Sequence, residues 1–302
     1  MSSSSNRRLV GRLLLLWQFV VAYAAAASDT KLRERQLQPE ELEDSSTFDL
    51  VGAVTAIPEI FPFFTLFANG ECAGTLISPT RVLTSASCVQ GSHPDTVRVG
   101  ATNRTDGREV RVRCAKSHPL YVWPKFQYDI AVLKINEKDR VDDIEFPVLN
   151  RVFSEPSFEG QPLLVAGMGR NTTTGYAAEH LMQLLYGFVP EAECKRFYGD
   201  DITLGLHVCA DGVRAGTCFG DSGGPLLSDL LPRILVGVVS GAVGGCADAY
   251  APDVYSSVAA FADWIDDQED DESCDRECVG CLCSFYSFMG RTGYQISRYF
   301  TP

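Results

Sequence analysis

Residues 216–225 read Gly216-Thr217-Cys218-Phe219-Gly220-Asp221-Ser222-Gly223-Gly224-Pro225. Two glycines after a serine let the backbone turn tightly and leave N–H groups facing one direction, which a Cβ would obstruct. Ser222 is expected to stand exposed on that turn. The N–H groups of Gly220 and Ser222 are expected to converge on one oxygen, the arrangement that stabilises a developing oxyanion. The chemistry this suggests is nucleophilic attack on a carbonyl carbon; the plainer reading is a glycine-rich surface turn. A serine hydroxyl holds its proton too tightly to attack at neutral pH, so the chemistry also needs a general base within hydrogen-bond reach.

The elements that must position this turn are short and β-like. Phe63 to Phe67, Val97 to Val99, Val110 to Val112, Ile130 to Ile135, Leu163 to Val165 and Leu235 to Val239 are β-branched or aromatic runs bounded by Gly, Pro, Asn and Asp, and several alternate apolar with polar residues. Helical periodicity is scarce until Val258 to Ile265. The pattern predicts an all-β barrel or sandwich closed by a terminal helix.

Gly220-Asp221-Ser222-Gly223-Gly224-Pro225 resembles the nucleophile motif of the trypsin-like serine proteases. So do the run Cys72 to Ser78 with Cys88 beyond it, Asp129-Ile130-Ala131-Val132-Leu133, Gly167-Met168-Gly169, and Val254-Tyr255 followed by Trp264-Ile265. The resemblance covers Leu50 to Ile265. It implies two packed six-stranded antiparallel β-barrels with a C-terminal helix and a cleft between the barrels. It also implies disulfides pairing Cys72 with Cys88, Cys194 with Cys209 and Cys218 with Cys246, each contributing ~2 to 4 kcal/mol. Cys114 has no counterpart; it is either a buried thiol or paired with a cysteine of the tail.

The resemblance carries a break. The family's base is a histidine in Thr-Ala-Ala-His-Cys, where this chain has Thr84-Ser85-Ala86-Ser87-Cys88, so the histidine position is Ser87 and only Ser222 and Asp129 of the triad remain. A second hydroxyl can neither accept the Ser222 proton nor return one to a leaving group. In subtilisin, loss of the histidine lowers turnover by about a million-fold. Of the four histidines only His93 lies near in sequence, in a loop expected to be solvated. The activation segment has Phe48-Asp49-Leu50-Val51 with no basic residue at the cut, which predicts that Asp221 lacks the freed ammonium and that the oxyanion loop stays in a zymogen-like arrangement. The family's Ser-Trp-Gly wall is Ser240-Gly241-Ala242, which predicts a weaker grip on substrate. Gly216 stands at the floor of the specificity pocket and Asp253 at its wall; Asp253 is either a residual site for a basic side chain or an acidic loop residue.

The ends of the chain extend the picture. Residues 1–27 read as a secretory signal peptide, with Arg7, Arg8 and Arg12 before an apolar run that is short for a membrane span. Residues 28–49 form an acidic, flexible leader, in which Arg35-Gln36-Leu37-Gln38 distantly resembles a motif of secreted oomycete effectors. Residues 50–265 are the protease-like domain. Residues 266–302 are an acidic stretch, expected to be an extended linker, and a tail rich in cysteine and aromatic residues. The net charge of -13 argues against a nucleic-acid or anionic-membrane partner. Eleven cysteines indicate an oxidising, extracellular compartment. Cys274, Cys278, Cys281 and Cys283 lack the histidines of a zinc site; no metal or cofactor is expected. Asn103 and Asn171 open N-glycosylation triplets. Among protease homologues with a broken triad the chain most resembles the glucanase inhibitor proteins of plant-pathogenic oomycetes, which implies binding to a secreted host endo-β-1,3-glucanase. The alternative is a working endopeptidase with an unusual base.

Overall fold

The computed structural model describes residues 53–270, apart from residue 92 and residues 153–159, 171–173, 204, 213–215, 243–245 and 247–250. Strand β1 is Val54–Thr55. The first barrel follows with β2 (Phe64–Phe67), β3 (Ala73–Ser78), β4 (Arg81–Thr84), β5 (Thr96–Val99), β6 (Arg108–Ser117) and β7 (Ala131–Ile135), closed in the order β2-β3-β4-β7-β6-β5. Then come β8 (Val148–Leu149), β9 (Pro162–Gly167), β10 (Met182–Val189), helix α1 (Glu191–Tyr198), β11 (His207–Asp211), β12 (Pro225–Ser228), β13 (Ile234–Gly241), β14 (Asp253–Ser257) and helix α2 (Ala262–Asp270). The chain β10-β11-β14-β13-β12-β9 closes through the β9–β10 pairing into the second barrel, with β1 and β8 added outside it. The expected all-β architecture of two six-stranded antiparallel barrels is therefore present.

Each strand expected from the sequence falls on one of these elements, with Phe63 and Ile130 lying one residue before β2 and β7, and the reason is visible in the burial. Along β6 Val110, Val112 and Cys114 point inward while Arg111 and Arg113 point out, the period of two that a curved sheet with one wet face imposes. β7 is buried throughout, as expected of a strand covered on both sides. Leu163, Val165, Tyr186, Val208, Leu226 and Tyr255 fill the second barrel.

Two helical features depart from the sequence reading. α1 was not expected; Glu191 and Glu193 stand in its first turn and Lys195 and Arg196 in its last, complementing the helix dipole. The residues from Asp266 to Asp270 are not an extended linker, because α2 continues through them. Arg151 bonds both oxygens of Asp266 and Gln268 Nε2 donates to the Trp264 carbonyl at 2.9 Å. These contacts offset the repulsion on which the linker expectation rested. The leader, the activation segment before Ala53, Asn171 and the tail beyond Asp270 lie outside the described residues. Among the described residues no helix is long and apolar enough to cross a membrane.

Disulfides join Cys72 to Cys88, Cys194 to Cys209 and Cys218 to Cys246. Cys114 is also disulfide-bonded, so it is not a free thiol.

His118 is one of the four histidines, and the fold gives it a structural role. It is 6% exposed, stacks on Tyr128 at 4.9 Å and meets Phe261 and Trp264 at 5.3 and 5.1 Å. Its Nδ1 accepts from the Leu120 N–H at 3.3 Å. Burial pushes its pKa down to about 4. Between that value and about 6.5 the unfolded chain binds a proton at this position and the folded chain does not, so this group costs stability as pH falls through that window. The cost is about 2 kcal/mol at pH 5. Denaturant titrations of His118→Phe and the parent at pH 7.5 and pH 5 should show the variant losing about 2 kcal/mol less on acidification.

Candidate functional site

A cleft of about 380 Å³ is lined by Ser222, Ser87, Asp129 and Ser240 together, with Trp123 and Phe219 on its rims. Residues that the sequence separates by more than a hundred positions thus share one cavity.

Ser222 is positioned by two tight turns. Asp221 N donates to the Cys218 carbonyl at 3.0 Å and Gly220 has φ +105°, the type II arrangement that requires a positive φ at its third residue. Gly223 has φ +82°, and a Cβ there would stand 2.3 Å from the Ala73 carbonyl oxygen. No other residue fits. The Ser222 carbonyl accepts from Ala73 N at 2.8 Å and Gly223 N donates to Val239 at 2.8 Å, so the turn is fastened to both barrels. Among the described residues neither the Gly220 N–H, the Ser222 N–H nor the Ser222 hydroxyl has a protein partner. A turn of this type leaves donors available to an incoming oxygen. The activation segment on which the expectation of a zymogen-like loop rests lies outside the described residues.

Asp221, wholly buried, holds that turn from behind. Its Oδ1 accepts from Gly169 N at 2.7 Å and its Oδ2 from Cys218 N at 2.9 Å. Gly167 and Gly169 leave room for it, since a Cβ on either would fall within 2.4 Å of the carboxylate. Burial pushes its pKa up to about 7, while the two backbone bonds and the Arg104 charge pull the other way. Arg104, the middle residue of the triplet opened by Asn103, acts on the same turn. Its Nη2 donates to the Met168 carbonyl at 2.5 Å and its Nε to the Ala178 carbonyl at 2.7 Å. Met168 C=O and Gly169 N–H are the two ends of one peptide group. That group therefore lies between a guanidinium and a carboxylate, with its dipole aligned to both.

Asp129 is 2% exposed and saturated by serines. Its Oδ1 accepts from Ser87 N at 2.7 Å, and its Oδ2 from Ser240 Oγ at 2.6 Å and Ser87 Oγ at 3.1 Å. Ser240 reaches it because β13 carries a bulge between Val239 and Gly241, a device that re-aims a side chain. Burial pushes the Asp129 pKa up to about 6 against the pull of those donors. Ser87 Oγ also lies 3.0 Å from Ser85 Oγ, and Tyr121 lines the same cleft. Burial, with the Asp129 charge beside it, raises the Tyr121 pKa well above the ordinary phenol value, so its hydroxyl stays protonated.

None of the described residues lining the cleft is a histidine. His93 Nδ1 lies 3.0 Å from the Pro94 carbonyl, His118 is in the core, His180 sits in a bridge with Asn103, and His207 is buried beside Thr203. The arrangement can bind an oxyanion and present a hydroxyl. Among the described residues it holds no imidazole beside that hydroxyl.

The remaining sites differ from expectation in instructive ways. The wall at Ser240-Gly241-Ala242 is not left bare: Phe126 lies against Gly241, where a Cβ would meet its ring at 3.1 Å, and stands edge-on to Tyr198 at 5.7 Å. An aromatic ring from a different loop covers that face. Asp253 is neither an exposed acidic loop residue nor a lining of the cleft. It is 5% exposed, and its Oδ2 accepts from Tyr186 Oη and Thr217 N, each at 2.7 Å. Burial pushes its pKa up to about 6 against those donors. Gly216 is likewise buried, next to Thr217, which lines the cleft. Asn103 Nδ2 donates to Asp106 Oδ2 at 2.9 Å, and its Oδ1 accepts from Thr105. Among the described residues no group of three or more His, Cys, Asp or Glu could hold a metal ion.

Comparison with known proteins accords with this geometry. A family model described as Trypsin matches residues 50–265. The chain is 33% identical to Trypsin 5G1 of Aedes aegypti over 64% of its own length and 73% of that protein. It is 32% identical to Glucanase inhibitor protein 3 of Phytophthora infestans over 67% of its length and 79% of that protein. It is 29% identical to a Trypsin-like protease of Streptomyces glaucescens over 79% of its length and 89% of that protein. With its two barrels and the serine turn in the cleft between them, the chain belongs to the trypsin family.

Proposed function

We propose that this chain is a secreted, catalytically silent member of the family that acts by binding another protein, and that its partner is an endo-β-1,3-glucanase of a host. The observation that carries the reading is the network on Asp129. The place that a base needs is taken by the Ser87 hydroxyl, which is held by Asp129 and Ser85. A hydroxyl so held cannot take up the Ser222 proton at neutral pH. Exposed Trp123 and Phe219 on the two rims, 59% accessible each, supply aromatic anchors of the kind that concentrate binding energy. The glucanase as target is supported by the similarity to Glucanase inhibitor protein 3.

The test is capture of plant apoplastic proteins on the immobilised mature chain, followed by a glucanase assay with increasing amounts of it. Retention of an endo-β-1,3-glucanase and a dose-dependent fall in its activity are expected. Trp123→Ala should weaken capture by at least tenfold, the scale of an aromatic anchor. Failure to retain any glucanase would overturn the partner but not the silence of the cleft.

A second reading, a working endopeptidase, is favoured by the type II turn at Gly220, whose donors are ready. An active-site serine phosphonate separates the two: rapid stoichiometric labelling of Ser222 would establish the enzyme.

A further inference from the structure

At the other end of β4 from the cleft, a polar pocket of about 230 Å³ is lined by Ser78, Arg81, Arg113, Lys134, Arg140 and Gln268 among others. β4 begins at Arg81 and leads toward Ser87, so the strand connects the two sites. Four cationic side chains gathered in one pocket are unusual in a chain of net charge -13. Among the described residues the one carboxylate lining it, Glu137, lies 3.6 Å from Arg140, which is also paired with Asp142 at 2.8 Å.

α2 runs into this pocket. Arg81 Nη1 donates to the Ile265 carbonyl at 3.2 Å, and Gln268, one turn further on, is part of the lining. The helix ends at Asp270, and the sequence continues Asp271-Glu272-Ser273-Cys274. Acidic residues at a helix C-terminus oppose the helix dipole, so this run needs cations near it. The pocket has them.

A second observation points to the same segment. Cys114 follows Arg113 directly on β6, is 4% exposed, and is disulfide-bonded. The six other cysteines of the described residues pair among themselves, and the only cysteines left in the chain are Cys274, Cys278, Cys281 and Cys283. Cys274 is the first of them, four residues past the end of α2, a length that spans up to ~14 Å of extended chain.

We infer that the basic pocket is the docking site of the acidic segment Glu269–Glu272 of this same chain, and that a disulfide between Cys114 and Cys274 locks it there. The tail is then latched to the first barrel at the end remote from the cleft, leaving both rims of the cleft open to a partner. Ion pairs hold the segment in register, and the disulfide, formed by oxidation of two thiols in the secretory compartment by its disulfide-forming machinery, makes the docking permanent.

Two measurements on the full secreted chain test this. Peptide mapping without reduction should find the Cys114 peptide joined to the Cys274 peptide; joining to Cys278, Cys281 or Cys283 would overturn the latch. Trypsin cleavage after Arg276, followed at low ionic strength, should be roughly tenfold faster in the triple variant Asp270→Asn, Asp271→Asn, Glu272→Gln than in the parent, the effect of about three partly exposed ion pairs. In 1 M salt the two rates should converge, because the pairs are screened. Equal rates at low salt would overturn the docking even where the disulfide is found.

Discussion

Ser87→His is expected to raise the rate at which a serine-directed phosphonate labels Ser222 by about a thousandfold, within the range general-base catalysis supplies. Ser87 begins a short 3-10 turn whose backbone N–H already bonds Asp129 Oδ1. An imidazole grown from that position can donate its Nδ1–H to Asp129 Oδ2 in place of the Ser87 hydroxyl. That bond fixes the tautomer with Nε2 free to accept a proton. Everything else the reaction needs is already present: a hydroxyl without a protein partner, and the Gly220 and Ser222 N–H groups with no competing acceptor among the described residues.

The gain should stop short of the full million-fold that loss of a histidine costs. Tyr121 lines the cleft with the oxygen that the imidazole replaces, and a larger ring there must displace it. Phe126 against Gly241, and the Ala242 methyl, narrow the wall where a substrate backbone would lie. Peptide hydrolysis should therefore recover less than phosphonate labelling, which asks only for the nucleophile and the oxyanion donors. Glucanase capture by the variant should be unchanged, because Trp123 and Phe219 are untouched. An unaltered labelling rate in a folded Ser87→His protein would sink the idea that a missing proton acceptor silences the cleft.

How far the sequence discloses this arrangement depends on the kind of information each residue carries. The barrels were legible because β5 alternates half-buried with buried positions and β6 exposed with buried ones, and because the glycines around Ser222 have no substitute at φ +105° and +82°. The closed Asp129 network was half legible. Ser87 and Ser240 were identified by position, but that Ser87 would satisfy both oxygens of the carboxylate is a matter of distances that a one-dimensional pattern does not contain. Asp253 could be read in two ways because burial decides its meaning, and only the Tyr186 and Thr217 donors reveal it. Phe126 and Arg104 were missed outright. Phe126 substitutes for a ring lost on another strand, more than a hundred residues away. Arg104 was obscured by the triplet it belongs to; the one available signal was Gly70, where a side chain would come within 2.3 Å of the guanidinium.

Arg104→Gln should destabilise the protein by about 3 kcal/mol at pH 8.5 and by about half of that at pH 5.5. Part of the loss is independent of pH. The carbonyls of Met168 and Ala178 lose a charged donor, which costs about 1 to 2 kcal/mol. The rest follows from Asp221, whose pKa of about 7 is held down by Arg104 through the intervening peptide. A buried carboxylate with a raised pKa contributes its full stability below the unfolded value near 3.8 and loses it as pH rises through the folded value. Removing the guanidinium raises that folded value further. At pH 5.5 the group is protonated in both proteins and the difference vanishes; at pH 8.5 the variant must keep the carboxylate either protonated or ionised without its cation, at about 1.4 kcal/mol for each unit of added shift. The same substitution in the Ser87→His background should reduce phosphonate labelling, since Asp221 braces the turn that presents Gly220 and Ser222. Arg104→Lys should restore much of the pH-dependent part but little of the rest, because an ammonium supplies the charge without the fork that reaches two carbonyls. Equal losses at the two pH values would show that Arg104 acts only as a hydrogen-bond donor. The pH-dependent loss, by contrast, would establish that this chain carries an internal cation for Asp221 and orders its oxyanion turn without a cut at its activation segment.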